Sequence, residues 1–415
     1  MSSILDLHIH SRYSRACSPR LNLHNIAAVA ARKGVDIIAT GDFTHPTWFQ
    51  EISSELEELD NTGLYHLKNN SSKTIFLLST EVSLVYKDGG KVRRIHLVVH
   101  APNLAAAAAL NKYLDAKYNI RSDGRPILGI SAPNFVRLCL DIHPQFLIYP
   151  AHIWTPWYAV FGSKSGFNSL EECFCEQTEF IYAYETGLSS DPEMNWRLSA
   201  LDNLTCLSNS DAHSLENIGR EANVMKLAVV SYQNIYQVIR GNKRIVAGDH
   251  EGMLETIEFY PEEGMYHLDG HSNCNFSCLP EESRRCHNIC PHCRRPLTIG
   301  VLNRVEELAD RALIDRPSVL VPFQRLIELD KIIAESLKIK SRQSQRVRAV
   351  YNKMIANFGS ELFILKDLDL SQLVGDYTLI AEGIQRVRRG QVNIKPGFDG
   401  QYGQITIFNK ADFRF

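Results

Sequence analysis

The chain has 415 residues, 44% hydrophobic and 22% charged, which predicts an ordinary soluble protein of two or three domains with ample core. A formal net charge of −2 excludes a globally basic nucleic-acid binder, so any such surface must be a local patch. No apolar run is long enough to cross a bilayer, and the N-terminus lacks the charged-then-apolar layout of a signal peptide; a cytoplasmic location and no membrane partner are expected.

In chain order, a first strand runs into Asp6-Leu7-His8-Ile9-His10. A helix is predicted over 23–33, with Asn22 as its cap. Apolar runs of strand length then recur at 35–39, 75–80, 146–151 and 204–210. Helical stretches lie between them, including the Ala-rich segment 101–118, and a helix over 231–240 completes the first domain. This βαβα alternation predicts an α/β fold with a parallel sheet over residues 1–250. A strand-like stretch at 255–260 opens a small Cys/His module assigned to 251–300. Residues 301–415 read as mainly helical, with apolar residues at helical spacing over 321–337, 342–358 and 373–389 and a Gly-rich hairpin around 396–400.

The strand ends carry the chemistry. His8 and His10 lie on one face of a strand, because side chains alternate. Further acids and imidazoles close or follow the later runs: Asp42, His45, Glu81, His96, His152, Asp211 and His213. In α/β folds functional groups collect at the C-terminal ends of strands. Nine candidates exceed what one four-coordinate ion takes and suit two or three, with a carboxylate such as Glu81 as a bridge. Mixed imidazole and carboxylate ligands suit zinc, manganese, magnesium or iron, and clustered ions suit phosphoryl chemistry.

Ten cysteines in a long, unsecreted chain do not read as a disulfide scaffold. Five of them fall between Cys274 and Cys293, which predicts a structural zinc site. The chosen ligands are His271, Cys274, Cys290 and Cys293, with Cys278 the main rival for the fourth place; the other five cysteines are read as buried thiols. Arginines flank the site, Arg294 and Arg295 among them, and could meet phosphates. The segment 338–353 has six basic residues and no acidic one, which is either a phosphate-tracking face or simply a solvated one.

The order Asp6-Leu7-His8-Ile9-His10-Ser11, an Asp/His motif, a lone Glu, two isolated His and Ser210-Asp211-Ala212-His213 resembles the polymerase-and-histidinol-phosphatase (PHP) superfamily. The resemblance implies a distorted β/α barrel with a trinuclear centre. By position, His8, His10, Glu81 and Asp211 would hold one ion and carry the catalysis. Glu81, His96 and His152 would hold a second, and His213 with Asp42 and His45 a third. Phe43 stands where members usually have a histidine, so His45 is taken as its replacement, with Asp42 behind it.

A narrower resemblance, to the endonuclease Q family within that superfamily, rests on Gly41-Asp42-Phe43-Thr44-His45-Pro46, Pro150-Ala151-His152-Ile153-Trp154-Thr155-Pro156-Trp157, Leu302 to Arg311, and Pro396 to Gly403. It implies cleavage of DNA 5′ to a deaminated base (hypoxanthine, uracil, xanthine) or an abasic site, with base flipping. The alternative is a small phosphate-ester phosphatase, which has no need of about 165 residues beyond its barrel. For DNA contacts, Trp154 and Trp157 either stack on a flipped base or pack at the barrel mouth. Lys164 and Ser165 resemble a phosphate-gripping loop, and Arg220 is placed to meet a phosphate. A sliding clamp is a conceivable partner, but the spacing in the tail from Gln404 to Phe415 does not support it.

Overall fold

A computed structural model describes residues 2–70, 72–242, 251–312, 314–317, 320–409 and 412. Strand Ser2–Asp6 pairs parallel with Ile37–Ala39, which pairs parallel with Ile75–Leu77. That strand runs on into Ser79–Asp88, which turns back through Gly89-Gly90 into antiparallel Lys91–His100. Leu147–Pro150 pairs antiparallel with the latter. Next to it, Ile153 N–H donates to Glu185 O at the end of Ala183–Glu185, which pairs parallel with Thr205–Leu207. The ring closes on the first strand: Asp211 N–H donates to His8 O and His10 N–H to Ala212 O. This is a distorted β/α barrel.

One member departs from the expected parallel arrangement, and the reason is local. Gly89 and Gly90 have φ of +55° and +74°, the left-handed pair that a two-residue hairpin demands. Lys91–His100 is therefore reversed, and the residue it contributes to the barrel mouth, His96, sits mid-strand rather than past a strand end.

The first strand also belongs to a flatter extension. It pairs antiparallel with Ala222–Lys226, which pairs antiparallel with Gly252–Glu258, which pairs parallel with Phe323–Arg325. The strand expected to open the zinc module thus belongs to the main sheet, and the segment expected as a helix over 321–337 splits into that last strand and helix Leu329–Ser336. The supposed domain boundary at 250 lies outside the described residues.

Helix Leu23–Lys33 begins where Asn22 accepts from Asn25 N–H and ends at Gly34, with φ +88°. The Ala-rich helix is shorter than expected, Leu104–Asp115, capped by Asn103. Helix Gln345–Phe358 starts at its Ser344 cap, three residues later than the apolar pattern implied, and Thr378–Arg388 follows. Strands Asn393–Lys395 and Gln404–Thr406 form the last hairpin, so the tail weighed for clamp binding begins in a strand, and its residues 410, 411 and 413–415 lie outside the described residues. One apolar core joins the barrel residues Ile9, Val82 and Leu97 to the C-terminal Leu329, Val347 and Ile384. The Cys/His module has its own small core of Cys278, Cys290 and Leu297.

Candidate metal centre

Two ligand groups meet at the barrel mouth and share Glu81: His8, His10, Glu81 and Asp211, and Glu81, His96 and His152. Within each group the ligand atoms lie within 4.8 Å of one another. Glu81 Oε2 is 3.3 Å from His10 Nε2 and 3.7 Å from His8 Nε2. Its other oxygen, Oε1, is 2.8 Å from His96 Nδ1 and 3.1 Å from His152 Nε2. Each oxygen of one carboxylate therefore faces a different set of imidazoles, the arrangement of a bridging ligand.

The unmet polar atoms indicate what fits here. His8 Nε2, His10 Nε2 and Asp211 Oδ1 are buried without a hydrogen-bond partner and face a common point. Leaving such atoms unpaired costs about 1–3 kcal/mol each, and a divalent ion would satisfy all three together. The electrostatics agree. Burial would lower the His8 and His10 imidazoles, yet the carboxylates of Glu185 and Glu81 for one, and of Asp42, Asp211 and Glu81 for the other, outweigh it and hold both well above the ordinary value. The pocket has an excess of negative field that calls for a cation. His96 is the opposite case: burial dominates and pushes it down to about 4, which leaves a neutral imidazole with a free lone pair.

A layer of supports aims these ligands. Glu185 lies 3.0–3.1 Å from His8 Nδ1, and Asp42 lies 2.9 Å from His10 Nδ1, so each Nε2 points inward. Asp42 also accepts from Ser11 N–H, Ser11 Oγ and Ser14 Oγ. Asp42, His152 and Asp211 all have positive φ, +49°, +29° and +46°. Three non-glycine residues held in that region around one site mark a backbone that tertiary contacts over-determine. Gly187 makes room for one of them, since a Cβ there would fall 2.5 Å from His152 Cβ.

The geometry redistributes several expected ligands. Asp42 stands behind His10, not behind His45, and its oxygens are taken up by His10 and the two serines. His45 caps helix Pro46–Glu55 through Trp48 N–H, places Nε2 3.1 Å from Arg121 O and stacks on Tyr13. Neither is among the converging atoms, because positional analogy tracks sequence order while a helix N-terminus captured the imidazole. His213 lies beside the cluster, its ring 4.5 Å from that of His10, with Nδ1 at 2.8 Å from Asp211 O. No third group of three ligands forms around it among the described residues.

Two residues at the site went unnoticed in the sequence. Glu185 closes a strand-length apolar run, the same signal that marked the others. Arg125 has no motif, yet its Nη1 lies 3.0 Å from Glu81 Oε2 and its side chain is three-quarters buried. Burial would lower its pKa, but Glu81 and Asp211 raise it further, so it stays a cation at the mouth.

The residues expected to meet DNA divide. Trp154 is fully buried, donates to Asn195 Oδ1 at 2.7 Å and packs on Phe161, so it belongs to the core. Ser165 is buried and pins its loop to Arg94 O. Arg220 donates twice to Ser210 O, at 2.8 and 3.0 Å, and so braces the Asp211 loop from behind. Trp157, Lys164, Arg294 and Arg295 are exposed and free to meet a ligand.

The second cluster is local. His271, Cys274, Cys290 and Cys293 converge within 4.8 Å, with His271 Nδ1 3.5 Å from Cys293 Sγ. Cys278 lies outside the group, in the small core beneath. Four such ligands suit a closed, structural zinc site. None of the ten cysteines forms a disulfide; of the five read as buried, Cys139 and Cys173 are, whereas Cys17 and Cys206 are half-buried and Cys175 is exposed.

The barrel and its paired ligand groups define a PHP-type metallophosphoesterase fold. Its particular architecture is similar to that of endonuclease Q: the chain superposes over 100% of its length on 98% of the lesion-specific endonuclease PfuEndoQ from Pyrococcus furiosus, with a TM-score of 0.85 and 29% identity. An endonuclease Q complex with a 27-mer duplex substrate carrying an abasic lesion at the active site matches with a TM-score of 0.86, 29% identity and the same coverage. The MJ0043 C-terminal domain family model matches residues 328–391. Uncharacterized protein MJ0043 of Methanocaldococcus jannaschii is 30% identical over 261 residues, 61% of this chain, and the match spans only 31% of that protein. Uncharacterized protein YqxK of Bacillus subtilis is 28% identical over 421 positions, covering 96% of this chain and 98% of its own.

Proposed function

We propose that this protein is a metal-dependent DNA repair endonuclease that hydrolyses the phosphodiester 5′ to a deaminated base or an abasic site. The observation that carries this reading is one arrangement: two ligand groups sharing Glu81 at the mouth of a barrel that matches endonuclease Q from end to end. Cavities and charge alone would fit a small-ester phosphatase equally. The zinc module and C-terminal helices, which also match, favour a macromolecular substrate.

His8, His10, Asp211, His96 and His152 would hold two divalent ions with Glu81 between them. Bound there, the ions supply Lewis acidity and activation of the attacking water. Glu185 and Asp42 keep the two leading imidazoles in register by accepting from their outer nitrogens. Arg125 presents a fixed cation at the same mouth, suited to orient a phosphate oxygen. Trp157, exposed, edge-on to Tyr266 and five residues after His152, would act on an extruded base. A deaminated or missing base pairs poorly, so extruding it costs less than extruding a normal one. Ten cysteines with no disulfide among them fit a reducing cytoplasm, and among the described residues no helix is long and apolar enough to cross a membrane.

The test is nicking of end-labelled duplexes that carry one hypoxanthine, uracil, xanthine or abasic site, in manganese or magnesium. A single cut 5′ to the lesion, leaving a 3′-hydroxyl, is expected. Intact lesion strands alongside hydrolysis of a small phosphomonoester would overturn the reading.

A further inference from the structure

A cleft of about 240 Å³ opens between helix Leu23–Lys33 of the barrel and helix Gln345–Phe358 of the C-terminal region. Its walls are braced by ion pairs. Lys33 Nζ lies 3.0 Å from Glu361, both nearly fully buried, and Tyr351 Oη donates to the same carboxylate at 2.7 Å. Arg342 lies 2.9 Å from Glu328 and also donates to Asn217 Oδ1. Arg20 is held 3.2 Å from Glu216.

Two cations in the cleft stand outside these ion pairs, while Asp330, the remaining carboxylate of the lining, lies 3.6 Å from Arg342. Arg32 and Arg348 line it from opposite helices, are exposed, and have no carboxylate at ion-pairing distance among the described residues. The segment 338–353 therefore divides by position. Arg342 is a strut, Arg348 faces the cleft, and Arg346 on the same helix is exposed but does not line it.

One end of the cleft lies near the metal-ligand loop, and Arg32 stands at the other, in the last turn of helix Leu23–Lys33, roughly 15 Å along from its start. Leu215 and Glu216 form part of its wall and follow His213 by two and three residues, so by chain length alone Glu216 is within roughly 11 Å of it. Ser18 N–H, on the loop that carries Arg20, donates to His213 O at 2.9 Å. A strand of duplex DNA carries a charge about every 3.4 Å along the axis, so a strand cut at the barrel mouth can pass this cleft within a few nucleotides.

We propose that this cleft seats a backbone phosphate of the DNA strand, gripped between Arg32 and Arg348 while the Lys33–Glu361 pair and the Arg342–Asn217 hydrogen bond tie its two walls together. The proposal rests on the nuclease reading above. Binding of an undamaged duplex to the holoenzyme, followed by fluorescence anisotropy against salt, tests it. The R32Q/R348Q variant should bind several-fold more weakly, and its log–log salt slope should be shallower by about 1. R32K/R348K, which keeps both charges, should retain the wild-type slope. An unchanged slope in R32Q/R348Q overturns the seat, and so does an equal change in R346Q, which would mark a diffuse basic face. If inorganic phosphate raises the melting temperature of the wild type but not of R32Q/R348Q, while the DNA slope is unchanged, the cleft is a free-anion site instead. A wild type that binds and nicks DNA while R32Q/R348Q shows the wild-type slope sinks only the seat; a wild type that neither binds nor nicks sinks the function with it.

Discussion

The barrel mouth and the Cys/His module are both candidate metal sites, but they are built on opposite plans. The module gathers His271, Cys274, Cys290 and Cys293 from a short stretch around one hairpin, with only a three-residue core beneath. The mouth gathers His8, His10, Glu81, His96, His152 and Asp211 from across some two hundred residues, on strands locked by the main core. In the first a metal would crosslink a module otherwise held by its small core and by hydrogen bonds to Asp269 and Asp399. In the second the fold holds the ligands, and it can leave them polar, buried and unpaired because the energy comes from elsewhere.

That contrast can be broken at several points. The largest effect is expected from Asp211→Asn, which removes one of the unpaired charges at the mouth. Lesion cleavage should fall by roughly a thousandfold or more, with duplex binding and melting temperature near wild type, because several kcal/mol of transition-state stabilisation act only in the reaction. A matching loss of binding would mean that the residue holds the fold. Glu185→Gln leaves all direct ligands in place but weakens the acceptor behind His8; metal affinity by titration should drop about 10–100-fold. Cys290→Ser should show the reverse pattern: one metal equivalent lost, the 269–298 segment opened to proteolysis, and the main melting transition retained. Barrel unfolding in that variant would show that the two regions are not independent.

A pH experiment probes the buried carboxyl of Glu258, which accepts from Thr186 next to Glu185. Burial pushes the Glu258 carboxyl up to about 8, against hydrogen bonds from Thr256 and Thr186 that pull it down. The folded protein then holds a proton that the unfolded chain gives up near pH 4.5. Stability should therefore fall as pH rises from about 4.5 to 8, by about 1.4 kcal/mol for each pKa unit, and level off above. Burial and the neighbouring Glu258 also push Glu221 up, so the denaturant midpoints of Glu258→Gln/Glu221→Gln should be flatter across that range; an equally steep decline would exclude this pair as the source. The smallest effect belongs to His45→Ala, expected to cost about 1 kcal/mol as a lost helix cap and to leave metal content unchanged. A lost metal equivalent would return His45 to the ligand set.

Periodicity and strand ends made most of the barrel legible. The helix at Leu23–Lys33 and the ligands His8, His10, Glu81, His152 and Asp211 follow from alternation and from short apolar runs that stop at a polar group. Glu185 carries the same signal as Glu81, but its place behind His8 depends on the tertiary contact alone. The reversal of Lys91–His100 was written in Gly89-Gly90, but only pairing shows which strand turns back.

Local chemistry determined where strands and helices would stop and which side chains a metal would favour, since those preferences act over a few residues. Which of those side chains meet was left to the ring closure between Ile9 and Ala212, which brings residues two hundred positions apart to one point. The same long-range packing set Asp42 behind His10, spent His45 on a helix cap, sank Trp154 into the core and carried Arg125 to the mouth. None of these follows from the residue type, because each depends on which neighbour reached the polar group first.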